Sequence, residues 1–151
     1  ELVENLPVRH GSEEYLDSEK YQLKPRDWEA PQTIAPLIAL VNRIRRDHAA
    51  LQTIEGLRFA GCDNRQIVAY LKTAGGASSP LLVVVNLDAF NLQQGFVSFD
   101  SSPYGLDPAG YQVRDLLTGI AYTWRGDRNY VRLDPGTQVP AHIFRLERLS
   151  A

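Results

Sequence analysis

Residues 81–87 read LLVVVNL, and the five positions from Leu81 to Val85 are apolar without interruption. A strand with one wet face alternates apolar and polar residues, whereas a strand covered on both sides has no need to. The run follows a break at GGASSP (75–80), so it reads as a central strand of a sheet. Working outward, Ile67, Ala69 and Leu71 fall on one face of a preceding strand and Val68, Tyr70 and Lys72 on the other. Downstream come short strand-like segments at GFVSFD (95–100), YQVRDLL (111–117), IAYTW (120–124), NYVRL (129–133) and PAHIFRL (140–146), separated by Pro, Gly, Asp and Asn. LTGIA (117–121) reads as a hairpin with Gly119 supplying positive φ. Closely spaced strands with no helix between them predict a mainly β chain whose second part is an antiparallel β-sandwich of about 100 residues.

Before the strands the pattern differs. Ile34, Leu37, Ile38, Val41, Ile44 and His48 recur at intervals of three and four, with Asn42, Arg43, Arg45 and Arg46 between them. This predicts one amphipathic helix from about Thr33 to Ala50, with Thr33 as cap and Pro36 inside the first turn, where its missing N–H is harmless. A lone apolar stripe must be buried against something. Residues 1 to about 30 contain Pro7, Gly11 and Pro25 and much of the local charge, and read as an irregular connection. The expected division is 1–52 and 53–151.

The 151 residues are 44% hydrophobic and 23% charged, which suits a globular chain. A net charge of −2 and a pI near 5.9 supply no basic surplus for phosphate backbones or anionic membranes, so neither nucleic acid nor membrane is an expected partner. A single cysteine, Cys62, has no internal partner, which fits a reducing compartment, the cytoplasm. The sequence opens on Glu1 and contains no methionine, and reads as a piece of a longer polypeptide.

Glu13, Glu14, Asp17 and Glu19 could include the paired acid and base of a glycosidase, but proximity in sequence is weak evidence for that and a solvated acidic loop is the simpler reading. His10, His48 and His142 show no metal-ligand spacing, and His48 reads as a partner for the helix C-terminus. Trp28, Trp124 and several tyrosines could stack on sugar rings, although core packing is the simpler reading for Trp124.

The motifs ENLPVRHGSEEYLDSEKYQ (4–22), RDW (26–28), IAPLIALVNRIRRDHAAL (34–51), LLVVVNLD (81–88), LLTG (116–119), NYVRLDPG (129–136) and PAHIFRLE (140–147) together resemble the C-terminal part of the bacterial α-1,4-glucan:maltose-1-phosphate maltosyltransferases, the GlgE branch of the α-amylase superfamily. The resemblance covers essentially the whole chain, and GSEEYLDSEKYQ is its most specific element. It implies a retaining glycosyltransferase that needs no cofactor and no metal. Maltosyl units would pass from α-maltose 1-phosphate to an α-1,4-glucan in glycogen synthesis, by a full-length protein that is a homodimer. It also implies that Lys20 and Tyr21 contact the donor sugar, that the helix is the last of a (β/α)₈ barrel, and that the catalytic carboxylates lie upstream of Glu1, leaving the chain inactive alone. The resemblance assigns no role to His10 or Cys62. The alternative is a non-catalytic glucan-binding or interaction module of an amylase-like enzyme.

Overall fold

A computed structural model of the chain describes residues 7–16, 27, 29–30, 33–75, 79–136 and 140–149. Internal packing divides the chain into two compact units, Glu1–Arg43 and Ile44–Ala151.

In the first unit Pro7 bridges Tyr15 in antiparallel fashion across a tight turn. The Val8 N–H donates to the Glu14 carbonyl at 2.9 Å and the Ser12 N–H to the Arg9 carbonyl at 3.0 Å. Gly11 sits in the turn at φ 77°, a conformation that costs a side-chain-bearing residue energy. Helix α1 (Ala35–Asp47) begins here and ends in the second unit. The Thr33 hydroxyl accepts the Ala35 N–H at 3.3 Å, as expected of a residue guarding the helix start. The regular helix stops three residues short of the expected Ala50. His48 has extended backbone, and a 3₁₀ turn covers Ala49–Leu51.

The second unit is built from eight strands: β1 (Leu57–Cys62), β2 (Ile67–Lys72), β3 (Leu81–Asn86), β4 (Gln93–Ser98), β5 (Tyr111–Asp115), β6 (Ala121–Trp124), β7 (Arg128–Leu133) and β8 (Ala141–Arg148). Every pairing is antiparallel, in the order β6-β5-β8-β3-β2-β1-β4-β7. The expected sandwich is therefore present, with one strand serving both sheets. Leu57–Ala60 of β1 pair with β2, while Gly61 and Cys62 pair with β4. The two inner faces meet in one core that includes Ile67, Leu71, Leu82, Val84, Val97, Val113, Val131 and Leu146. Each such side chain, removed from water, stabilises the fold by roughly 1.5–3 kcal/mol before the cost of ordering it.

Strand β3 lies between β8 and β2, and its outer-face residues Leu81 and Val83 are buried along with Leu82 and Val84. That explains the unbroken apolar run. Strand β1 is the one the pattern does not announce. Its Leu57, Arg58 and Phe59 are exposed, and its inward contributions are the small Ala60 and Cys62, so no alternation is visible. Gly56 precedes it at φ 70°, with the Thr73 carbonyl occupying the place a Cβ would take. The Lys72 ammonium, buried, donates to the carbonyls of Thr53 (2.7 Å), Ile54 (3.3 Å) and Glu55 (2.6 Å), and so ties the segment before β1 to the end of β2. Among the described residues no helix is long and apolar enough to cross a membrane.

Candidate functional site

The residues expected to hold a donor sugar, Lys20 and Tyr21, lie outside the described residues, as do Asp17, Glu19 and Trp28. The turn just ahead of them is described. It presents Glu13 and Glu14 to solvent, and it is organised by backbone groups and by the Ser12 hydroxyl, which accepts the Glu14 N–H at 3.1 Å. Both side chains face water on the outside of the turn. For this pair the solvated acidic loop is the reading the geometry fits.

His48 Nδ1 lies 2.8 Å from the Ile44 carbonyl, so the ring closes one of the open carbonyls at the end of α1. Cys62 is a free thiol packed on the edge of the core. Among the described residues no three His, Cys, Asp or Glu side chains are grouped as metal ligands.

The polar chemistry that the fold does assemble lies at one edge of the sandwich. Strands β6 and β7 are the two ends of the strand order and do not pair with each other, although only residues 125–127 separate them. Tyr111, with no exposed surface, holds that connection: its hydroxyl donates to the Gly126 carbonyl at 3.0 Å and accepts from Asn129 Nδ2 at 3.2 Å. Burial, helped by the charge of Asp127 and opposed by the Asn129 bond, pushes the Tyr111 phenol up to about 12.

Asp115, wholly buried at the end of β5, accepts from His142 Nδ1 (3.0 Å) and the Thr118 hydroxyl (2.9 Å) at one oxygen. The other oxygen accepts the N–H groups of Leu117 (3.1 Å) and Ile143 (3.4 Å). Burial alone would raise the carboxyl. The bonds from His142, the Leu117 N–H and the Thr118 hydroxyl outweigh it and hold Asp115 below its ordinary value. His142 Nε2 lies 3.2 Å from the Arg132 carbonyl on β7. The chain Asp115–His142–Arg132 thus links β5, β8 and β7. Every Asp115 oxygen is engaged and none meets solvent, so this carboxylate is a structural tie rather than a base.

Phe144 lies beside this chain, stacked on His142 with ring centroids 4.7 Å apart and met edge-on by Trp124 at 5.2 Å and Tyr122 at 6.2 Å. Trp124 is buried, as the core reading expects. The same rings border a cleft of about 350 Å³ between β6 and β7. A larger depression, about 670 Å³, lies near Arg58, Ser79, Tyr104 and Arg148. Sequence reasoning missed the Asp115–His142 pair. The Asp115, Thr118, Gly119 turn carries a local signal for a capped turn, but nothing local points 27 residues on to His142.

The family described as GlgE, C-terminal, matches residues 59–146. The chain belongs to that family. The curated relatives agree: an α-1,4-glucan:maltose-1-phosphate maltosyltransferase of Methylacidiphilum infernorum is 47% identical over 98% of this chain and 22% of its own length. The second such enzyme of Streptomyces coelicolor is 51% identical over 100% of the chain and 23% of its own length. That of Mycobacterium tuberculosis is 41% identical over 97% and 21%. The GlgE C-terminal chain thus spans about a fifth of the length of the maltosyltransferases it matches. Among solved structures, the maltogenic α-amylase AmyB of Thermotoga neapolitana aligns at TM-score 0.54 with 13% identity over 80% of this chain and 27% of that one. An Anoxybacillus α-amylase aligns at TM-score 0.52 with 16% identity over 81% and 25%. These two likenesses are of fold, and place the sandwich with β domains found in amylases.

Proposed function

We propose that this chain is the C-terminal part of a retaining maltosyltransferase that moves maltosyl units from α-maltose 1-phosphate to the non-reducing end of an α-1,4-glucan. The supporting observation is identity of 41–51% to enzymes so named over nearly the whole chain, including the segment before the sandwich. In this reading a carboxylate displaces phosphate to form a covalent maltosyl-enzyme, which the 4-hydroxyl of the glucan then attacks with help from a general acid/base. In this reading those groups lie in the part of the complete protein that this chain does not span, and the chain alone is inactive. Residues 1–52 would be the end of the catalytic barrel, a substrate loop and its last helix, and 53–151 its C-terminal β-sandwich domain. The complete protein would be a cytoplasmic homodimer.

Within the chain, Lys20 and Tyr21 are the proposed donor contacts. An ammonium donates to sugar hydroxyls, and a tyrosine offers an apolar ring beside a hydroxyl. The test is phosphate release from maltose 1-phosphate by the complete enzyme carrying Lys20→Ala. A fall of about ten-fold or more in kcat/KM, roughly 1.4 kcal/mol, with an unchanged melting temperature is expected. Unaltered donor kinetics would remove Lys20 from the site.

A further inference from the structure

Strands β1, β2, β3 and β8 are neighbours in the sheet, and at one end of the sandwich they bring their terminal residues side by side. Arg58 of β1 lies opposite Leu71 of β2, and the Leu146 N–H of β8 donates to the carbonyl of Pro80, just ahead of β3, at 3.0 Å. The depression of about 670 Å³ lies at this end, its lining completed by Pro103, Tyr104 and Leu106 from the connection between β4 and β5. Its floor is apolar, since Leu106 and Leu146 are buried. Its rim is not. Arg148, at the end of β8, donates from Nε to the Gly105 carbonyl at 2.8 Å, and a Cβ at Gly105, which has φ 64°, would collide with that guanidinium. The group is therefore held in place by a neutral acceptor. Glu147, the carboxylate at the rim, is engaged by Arg145 at 2.9 Å. Arg58 is exposed and makes no ion pair among the described residues. Elsewhere on the sandwich the pattern is different: Arg128 is paired with Asp63 at 2.8 Å and Arg132 with Asp134 at 3.1 Å.

We propose that this end of the sandwich is a binding site for a small phosphorylated molecule. The phosphate falls to Arg148, whose guanidinium is already fixed, with the unpaired Arg58 as the second cation. Two arginines bordering one depression without a carboxylate between them leave a positive field that an anion relieves. The forked N–H groups of a guanidinium match the oxygens of a phosphate, and a phosphate dianion matches two cations where a carboxylate matches one. Ser79, exposed at the rim, adds a hydroxyl donor. The volume exceeds what a bare phosphate fills and lies within the range of small-molecule sites. The organic part of the ligand is therefore placed against Tyr104 and the apolar floor, where a ring finds a flat apolar surface. A polyanion is a poorer match, because the chain's net charge of −2 confines the attraction to the depression itself. The site is defined by the sandwich alone, whatever reaction the complete protein carries out.

The first probe is inorganic phosphate, titrated into this 151-residue chain and followed by amide proton–nitrogen NMR. The amides of Arg58, Ser79, Gly105 and Arg148 should shift saturably, and the same titration with neutral glucose should leave them in place. Arg148→Ala and Arg58→Ala should each weaken phosphate binding about ten-fold, and Arg58→Lys, which keeps the charge but not the fork, should recover part of the loss. Arg128→Ala, which removes an arginine already paired with Asp63, should leave binding unchanged. The spectrum of each variant reports whether its fold is intact, and Arg58, exposed, is the substitution least coupled to folding. Glucose 1-phosphate and adenosine 5′-monophosphate then separate the two sources of a phosphate ester. Whichever binds more tightly than inorganic phosphate names the organic part, sugar or nucleoside. If neither does, Tyr104 and the apolar floor are removed from the site. No saturable shift at the four amides, or equal phosphate binding by the folded Arg58→Ala and Arg148→Ala chains, overturns the proposal.

Discussion

Between Ile44 and Ala151 the apolar side chains face one another across two sheets, and Leu82, Val97, Val113 and Tyr111 keep no exposed surface at all. Between Glu1 and Arg43 the described Val8, Tyr15, Leu16, Ile38 and Val41 are each between 40% and 51% exposed. Order in the first region comes from local hydrogen bonds: a turn around Gly11 and the first turns of a helix. Order in the second comes from side chains distant in sequence. The comparison teaches that stability and the proposed donor contact reside in different stretches, so substitutions should separate them cleanly.

The sharpest way to break that comparison is to empty the core. Phe144→Ala removes the ring around which Tyr122, Trp124 and His142 are arranged, and should cost about 3–5 kcal/mol in urea unfolding. A smaller loss would mean that the cleft between β6 and β7 collapses to fill the space. Next in size is Asp115→Asn, which disrupts a buried acceptor of four hydrogen bonds and should cost about 2–3 kcal/mol. It also carries a pH signature. The folded carboxyl titrates below its ordinary value of 3.8, so below that pH the unfolded chain takes up a proton that the folded chain refuses. Stability is therefore present above that value and lost as pH falls through it, and the variant should lack this acid limb. An identical limb in both proteins would mean that other carboxylates govern acid unfolding.

Tyr111→Phe should cost about 1 kcal/mol, the worth of its hydroxyl bonds to Gly126 and Asn129. Here the sign is reversed. With the folded phenol raised from 10.0 to about 12, stability is complete below pH 10 and falls as pH rises toward 12. Thermal melts across that interval should show a shallower decline for the variant. The smallest effect is expected in the first region, where Val41→Lys on the exposed side of α1 should change stability by less than about 0.5 kcal/mol. A cost comparable to that of Phe144→Ala would show that the helix stripe is as much a part of the core as β3.

Much of the sandwich was legible because its signals are local. The period of two in Ile67–Leu71, the doubly apolar Leu81–Val85 and the turn at Gly119, which has φ 78°, each follow from neighbouring residues alone. Strand β1 was not, because its inward positions are Ala60 and Cys62, too small to mark a face. Pattern also reports which face a residue takes, not which strand lies beside it. The sharing of β1, the cleft between β6 and β7 and the Asp115–His142 tie all depend on strand order, and so were invisible. Lys20 and Tyr21 stand at the opposite extreme. Nothing in their spacing marks them, and they were reached only through the resemblance of the surrounding motif.

Hydrogen exchange on the complete enzyme, with and without maltose 1-phosphate, tests the division between a donor-gripping segment and a supporting sandwich most directly. Slower exchange in peptides covering residues 11–29, with 67–72 and 81–86 unchanged, is the expected result. Protection confined to the sandwich, with residues 11–29 indifferent to the donor, would contradict it.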